Sequence, residues 1–323
     1  MKEVRKNLFV IDLMQDSMLQ KEVIEYFFIR KVTKEVNGTV KLAVTLADKT
    51  GELRGTIWNE HIQETHYKME NTFCRISASV GMYKGLYTLN ITNMEPVHPE
   101  LVSYSDFCSS IDNIDELYGS FVETYHSDIQ KTHLVELLDK FFMNEVISKK
   151  FKDLQGGTKV HHVQMGGCLM HTMSVYNNCK LLARNYLSQN LYSELDMDIL
   201  LTAACIHDIG KIKEYKPFPF NQRTDEGILI GHLVLGICMV YKALSDIKTF
   251  PKQEEIKLIH LLSTSHGEMD KIIKPATVEA LILNRSDELD ARVDGFNQIL
   301  LNDSEVGNIT RFNPILDQYI YKK

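Results

Sequence analysis

Two adjacent side chains, His207 and Asp208, close the apolar run Ile199-Leu200-Leu201-Thr202-Ala203-Ala204-Cys205-Ile206 and precede Ile209-Gly210-Lys211. An imidazole beside a carboxylate at the end of a hydrophobic helix offers two metal-capable groups where a core can hold them and solvent can still reach them. Alone, such a dipeptide is commonly a polar turn with Gly210 as its cap. Four more residues of the same donor types change the reading. His171 lies upstream in Gly166-Gly167-Cys168-Leu169-Met170-His171, and His232, His266 and Asp287 follow in Gly231-His232-Leu233, Ser265-His266-Gly267 and Ser286-Asp287-Glu288. Imidazole and carboxylate donors suit Mn, Fe or Zn and tolerate open, water-filled positions. The chemistry within their reach is Lewis-acid activation of a water or of a substrate oxygen.

Each donor sits on or at the end of an expected helix. Apolar spacing predicts helices over 171–187, 197–207, 228–244, 252–264 and 277–301, with a long loop over 213–227 that contains Pro217 and Pro219. Loops in such a position commonly shape a substrate pocket. Between 99 and 154 the pattern is also helical, with Ile114, Leu117, Phe121 and Val122 on one face and Leu134, Leu137, Leu138, Phe141 and Phe142 on another. No chemistry is visible there.

From Glu22 to Val97 the pattern is that of strands. Tyr26-Phe27-Phe28-Ile29-Arg30-Lys31-Val32 leads to the hairpin signal Asn37-Gly38, after which Val40, Leu42, Val44 and Leu46 alternate with Lys41, Ala43, Thr45 and Ala47. Asp48-Lys49-Thr50-Gly51 turns into Leu53-Arg54-Gly55-Thr56-Ile57-Trp58; a short helical stretch over 61–69 and two further strands, parted by Gly85, complete the order of an OB barrel. By period two, Lys41, Thr45, Arg54, Thr56 and Trp58 share the outward face, with Tyr83 and Tyr87 as weaker members. That face reads equally as a solvated strand surface or as a surface for phosphates and a stacked base.

Composition sets outer limits. Hydrophobic content of 44% and charged content of 24% over 323 residues are those of a globular protein of about two domains. The net charge of −7 argues against a general nucleic-acid coat; residues 1–100 hold 13 basic and 13 acidic side chains, so the acidic excess lies downstream. The short apolar stretch after Met1 is broken by Asp12, and the run 228–240 is too short to cross a bilayer, so neither a signal peptide nor a membrane span is expected. Six cysteines without a C-x-x-C pair read as reduced, mostly buried thiols of a cytoplasmic protein. No internal repeat, P-loop, dinucleotide fingerprint or nucleophile elbow is present.

In the order His, His-Asp, His, His, Asp, the donors resemble the HD-domain metallophosphohydrolases in their two-metal form. With the expected barrel upstream and His161-His162-Val163-Gln164-Met165-Gly166-Gly167-Cys168-Leu169-Met170-His171-Thr172 at the junction, the chain resembles the YhaM-type 3′→5′ exoribonucleases from near residue 20 to near residue 300. One departure is Leu154-Gln155-Gly156-Gly157-Thr158, where that family usually has Pro-Ala-Ala; it removes no ligand. The expected architecture is multidomain α+β. It comprises an extension (1–20), an OB-fold β-barrel (21–98), a helical linker (99–155), an all-α HD domain (156–305) and a tail (306–323).

The resemblance implies two divalent ions, manganese foremost, with iron or zinc suited to the same donors. His171, His207, Asp208 and Asp287 would hold the first, and Asp208 would bridge to a second held by His232 and His266. Asp208 and Lys211 would be the catalytic pair, Lys211 meeting a phosphate oxygen; its plainer role is to complement a helix end. His260, six residues before His266, faces elsewhere, Asp290 is spaced to orient a ligand, and His161 and His162 are weaker candidates for RNA or ligand contacts. The implied activity is hydrolysis of single-stranded RNA, with single-stranded DNA as a further substrate, to nucleoside 5′-monophosphates. Lys41, Arg54, Trp58, Tyr83 and Tyr87 would hold the strand. The protein would be bacterial, cytoplasmic, without membrane contact and able to form homo-oligomers. Two other readings compete: an HD phosphohydrolase of a nucleotide or cyclic dinucleotide, and a non-catalytic DNA-binding factor with a structural metal.

Overall fold

A computed structural model describes residues 5–108, 111–156, 164–189, 194–216, 222–266, 273–303, 305–313 and 316–322. His161, His162, Pro217 and Pro219 lie outside the described residues. The chain divides into two compact units, Met1–Ser109 and Ser110–Lys323.

In the first unit α1 (Val10–Leu13) precedes five strands, β1 (Glu22–Asn37), β2 (Thr39–Asp48), β3 (Gly51–Trp58), β4 (Thr72–Tyr83) and β5 (Leu86–Val97). They close into a barrel in the order β1-β2-β3-β5-β4, with β3 and β5 parallel and the other pairs antiparallel, as in an OB fold. Gly38, at φ 75°, turns the first hairpin where the sequence signals it. Leu42, Val44 and Leu46 point inward to meet Phe27, Ile57, Ile76 and Leu89, which makes Lys41 and Thr45 the outward set. The helical stretch expected over 61–69 is instead two 3-10 turns, Asn59–His61 and Glu64–Lys68.

Among its described residues the second unit is mostly helical, with one small hairpin and two isolated bridges, Ile309 with Tyr321 and Asn313 with Gln318. Its elements are α2 (Ile114–Asp128), α3 (Thr132–Phe142), α4 (Glu145–Asp153), α5 (Gly167–Ser188), α6 (Met197–Ile206) and α7 (Lys211–Glu214). These are followed by β6 (Tyr215–Lys216), β7 (Gln222–Arg223), α8 (Asp225–Leu229), α9 (His232–Ser245), α10 (Lys252–Ser263) and α11 (Val278–Asn302). Phe121, Tyr125, Leu137, Phe142 and Phe151 of the helices at 114–153 share one apolar core with Leu169, Tyr176, Leu200, Ile206 and Leu283. Every residue from 199 to 206 is buried, so α6 runs through the middle of the unit, packed by α5, α10 and α11. Its last turn therefore delivers His207 and Asp208 into an enclosed space.

Two sequence expectations are corrected here. The helix expected over 228–244 is broken at Gly231, whose φ of 77° and ψ of 155° no right-handed helix accommodates; α8 stops before it and His232 becomes the first residue of α9. The loop expected over 213–227 is replaced in its described parts by α7, the β6–β7 pairing and the start of α8. Gly210 adopts ordinary helical angles, so its smallness serves packing: a Cβ there would lie 1.9 Å from the His232 carbonyl oxygen and 2.6 Å from the Gly236 nitrogen. The His-Asp turn and the first turn of α9 touch backbone to backbone. Gly210→Ala must push them apart, and we expect a loss of about 3 kcal/mol, the upper end for an overpacked core. A denaturation midpoint equal to wild type would show that this contact does not hold α9 in place.

Candidate metal centre

The six donors read from the sequence lie together, five of them in two groups that share Asp208 and Asp287 beside them. His171, His207 and Asp208 form the first group, and Asp208, His232 and His266 the second; within each, one donor atom per residue lies within 4.8 Å of the others. The two oxygens of Asp208 divide between them. Oδ2 is 3.5 Å from both His171 Nε2 and His207 Nε2. Oδ1 is 3.3 Å from His266 Nε2 and 3.8 Å from His232 Nε2. Asp287 adjoins the first group through Oδ1, 3.0 Å from His171 Nε2 and 3.7 Å from His207 Nε2.

A second layer holds three of the four imidazoles with Nε2 inward by hydrogen bonds, and places a carboxylate beside the fourth. Nδ1 of His171 donates to Asp290 Oδ2 at 2.6 Å, that of His207 to the Ala204 carbonyl at 2.9 Å, and that of His266 to Asp287 Oδ2 at 2.7 Å. Nδ1 of His232 lies 2.5 Å from Glu214 Oε2. Where Nδ1–H is hydrogen-bonded, as in His171, His207 and His266, the lone pair of a neutral ring is on Nε2, the tautomer a metal ligand requires. Asp290 is thus the orienting carboxylate its spacing suggests, and Ser174 donates to its other oxygen. Glu214 and the double role of Asp287 were not read from the sequence. Neither was Asn284, whose amide donates to the carbonyls of Thr264, Ser265 and His266 and so anchors the turn that presents His266. His260 faces away, its Nε2 accepting the Ala276 N–H at 2.9 Å.

These donors fit a pair of cations. In the neutral state the lone pairs of His171 and His207 face each other at 3.2 Å and those of His232 and His266 at 2.7 Å, which is unfavourable unless a proton or a metal ion lies among them. Both oxygens of Asp208 are buried without a well-directed hydrogen bond. Asp208, Glu214, Asp287 and Asp290 are all buried, against the single buried ammonium of Lys211 in this cluster. Protons fill part of that deficit in the ion-free protein. Burial would lower the basicity of His171, but hydrogen bonds to Asp287 and Asp290 outweigh it and raise the pKa to about 9. For His266 burial is likewise outweighed, by Asp287 and Asp208, and the pKa rises to about 10. Burial would raise the carboxyls of Asp208 and Asp287, yet the cations around them hold both well below the usual range.

Lys211 is placed differently from the phosphate contact expected of it. Its side chain is buried, with Nζ 2.7 Å from Asp208 Oδ2 and donating to the Gly156 carbonyl at 2.8 Å. It acts as counter-ion to the shared carboxylate, whose charge outweighs burial and raises the lysine pKa.

On the barrel, Lys41, Arg54, Thr56, Trp58, Tyr83 and Tyr87 line one groove of about 610 Å³. Lys41 Nζ lies 5.6 Å from the centre of the Trp58 ring, and Trp58 and Tyr83 are exposed. The face is less positive than its own two strands suggest, because Glu35 from β1 pairs with both Lys41 and Arg54. Tyr87 donates its hydroxyl to Asp16 at 2.7 Å.

The C-terminal unit matches the HD domain family over residues 169–292. Those residues form an HD domain. The resemblance to YhaM-type exoribonucleases extends along most of the chain. The 3′-5′ exoribonuclease YhaM of Bacillus subtilis (strain 168) is 27% identical over 289 residues, 86% of this chain and 88% of that one. The protein of the same name from Bacillus velezensis is 29% identical over 285 residues, 84% of this chain and 85% of that one. The HD domain match spans all six donors, from His171 to Asp287.

Metal uptake by these imidazoles would be coupled to proton release. His171 and His266, with pKa values raised to about 9 and about 10, would have to lose their protons to bind an ion near neutrality. Calorimetric Mn²⁺ titrations near neutral pH, in buffers of different ionisation heat, are expected to show release of about two protons per chain, with affinity rising as pH climbs through those values. Uptake without proton release would mean that the rings are already neutral.

Proposed function

We propose that this protein is a metal-dependent 3′→5′ exoribonuclease that holds single-stranded RNA on its barrel face and hydrolyses the 3′-terminal phosphodiester at a dinuclear HD centre, releasing nucleoside 5′-monophosphates. The observation that carries the reading is the division of the Asp208 oxygens between two sets of inward-facing imidazoles. Two divalent ions held by His171, His207, Asp208 and Asp287 on one side and by Asp208, His232 and His266 on the other would supply Lewis-acid charge for a phosphate oxygen and a water of lowered pKa. Manganese is the ion we assign first, as an octahedral-tolerant match to mixed nitrogen and oxygen donors.

The chain's own residues have distinct tasks in this reading. Asp208 fixes the spacing of the two sites, and Lys211 offsets its charge while they are empty or being loaded. Asp290, Glu214 and Asp287 keep the imidazoles in the ligating tautomer. Trp58 and Tyr83 offer stacking surface, and Lys41 and Arg54 offer phosphate contacts. No helix among the described residues is long and apolar enough to cross a membrane. We assign the protein to the cytoplasm, where the free thiols Cys74, Cys168, Cys179 and Cys205 stay reduced.

Asp208→Asn should lower RNA hydrolysis by at least about 1,000-fold, more than the loss of one transition-state donor, with binding of RNA nearly unchanged. Trp58→Ala should do the reverse: affinity for long strands falls roughly five-fold or more, as loss of one stacked base requires, while turnover of a dinucleotide stays near wild type. End-labelled RNA, single-stranded DNA and a cyclic dinucleotide, each incubated with Mn²⁺, provide the check. Hydrolysis of the cyclic dinucleotide alone would replace the exonuclease reading, and normal turnover by Asp208→Asn would remove the dinuclear one.

A further inference from the structure

We propose that Glu35 is a built-in stand-in for a nucleic-acid phosphate, occupying Lys41 and Arg54 until an incoming strand displaces it. The inference rests on the assignment of the barrel face to single-stranded RNA. Glu35 lies near the end of β1, directly across from Lys41 in the β1–β2 pairing. Its oxygens are divided between two cations on different strands: Oε1 is 2.6 Å from Arg54 Nη2 and Oε2 is 3.2 Å from Lys41 Nζ. A carboxylate held this way presents two anionic oxygens to a guanidinium and an ammonium, as the two non-bridging oxygens of a phosphodiester would. The position is also the right one relative to a base. Lys41 and Arg54 line the same groove as Trp58 and Tyr83, and the lysine ammonium stands 5.6 Å from the Trp58 ring centre. The other acid of the groove, Glu52, is engaged by Arg30 at 2.9 Å.

The pairing is displaceable by design of its surroundings. The Arg54 side chain is 61% exposed and that of Glu35 29%, so solvent screens the pair and it contributes little by itself. A strand that brings a phosphate together with stacked bases gains more than the intramolecular carboxylate gives up. A free mononucleotide, with one phosphate and one base, gains less. Glu35 thereby favours retention of long strands over retention of the released product.

The test is salt-dependent binding of end-labelled single-stranded RNA to the full chain, in the hydrolysis-deficient Asp208→Asn background, with and without Glu35→Gln, Arg54→Ala and Trp58→Ala. Removing the carboxylate charge is expected to tighten binding about three-fold or more at low salt, the scale of an exposed ion pair, and to steepen the log-log salt dependence by about 0.7, one single-strand phosphate contact. It should tighten binding of nucleoside 5′-monophosphate by a larger factor than binding of the long strand. Arg54→Ala that weakens binding, beside Glu35→Gln that leaves affinity and slope unchanged, would overturn the proposal while keeping the face. If Arg54→Ala and Trp58→Ala also bind like their parent, the face is not the RNA site and the proposal falls with it.

Discussion

A single buried carboxylate shared between two sets of imidazoles is the constraint from which the rest of the helical unit follows. Asp208 is almost wholly enclosed, yet it is kept ionised by the cations around it. An isolated carboxylate in that position would be costly, and the surrounding helices serve to keep it from being isolated. α6 brings it in at the end of an apolar run, Lys211 folds back onto it three residues later, and α5, α9 and the turn after α10 supply the imidazoles beside it. Gly210 has no side chain because α9 must come within backbone contact of the same turn.

The second layer decides what the first can do. With three rings hydrogen-bonded at Nδ1, His232 beside Glu214, and all four Nε2 atoms inward, an ion entering here would require little change of tautomer or ring orientation. The supports come from unlike places: a helix carbonyl for His207, an acid on α11 for His171, the last residue of α7 for His232, and Asp287 for His266. Asp287 therefore links the two groups a second time, facing His171 with one oxygen and orienting His266 with the other.

Much of this was legible in the sequence because local rules and chemistry coincide there. Period-two alternation through Val40, Leu42, Val44 and Leu46, bracketed by Asn37-Gly38 and Lys49-Thr50-Gly51, leaves little choice but a barrel meander, and the strands are where the pattern puts them. The six donors stood out by their order along the chain, His, His-Asp, His, His, Asp, rather than by any one of them alone. The misses share a cause as well. Glu214 and Glu35 sit among ordinary charged residues, and only tertiary pairing tells them apart from solvated ones. For Lys211, expected at a phosphate or a helix end, a sequence does not show that its ammonium curls back to Asp208 and Gly156. The break at Gly231 was hidden inside a continuous apolar run, where periodicity outweighed one glycine.

The most direct test of the shared carboxylate is electron paramagnetic resonance of the full-length protein titrated with Mn²⁺. Bridging by Asp208 predicts that, as the second equivalent binds, the spectrum of isolated ions gives way to that of an exchange-coupled pair, and that Asp208→Asn abolishes the coupling. A wild-type protein that saturates at one ion per chain, or that binds two ions showing only uncoupled spectra, would contradict the account.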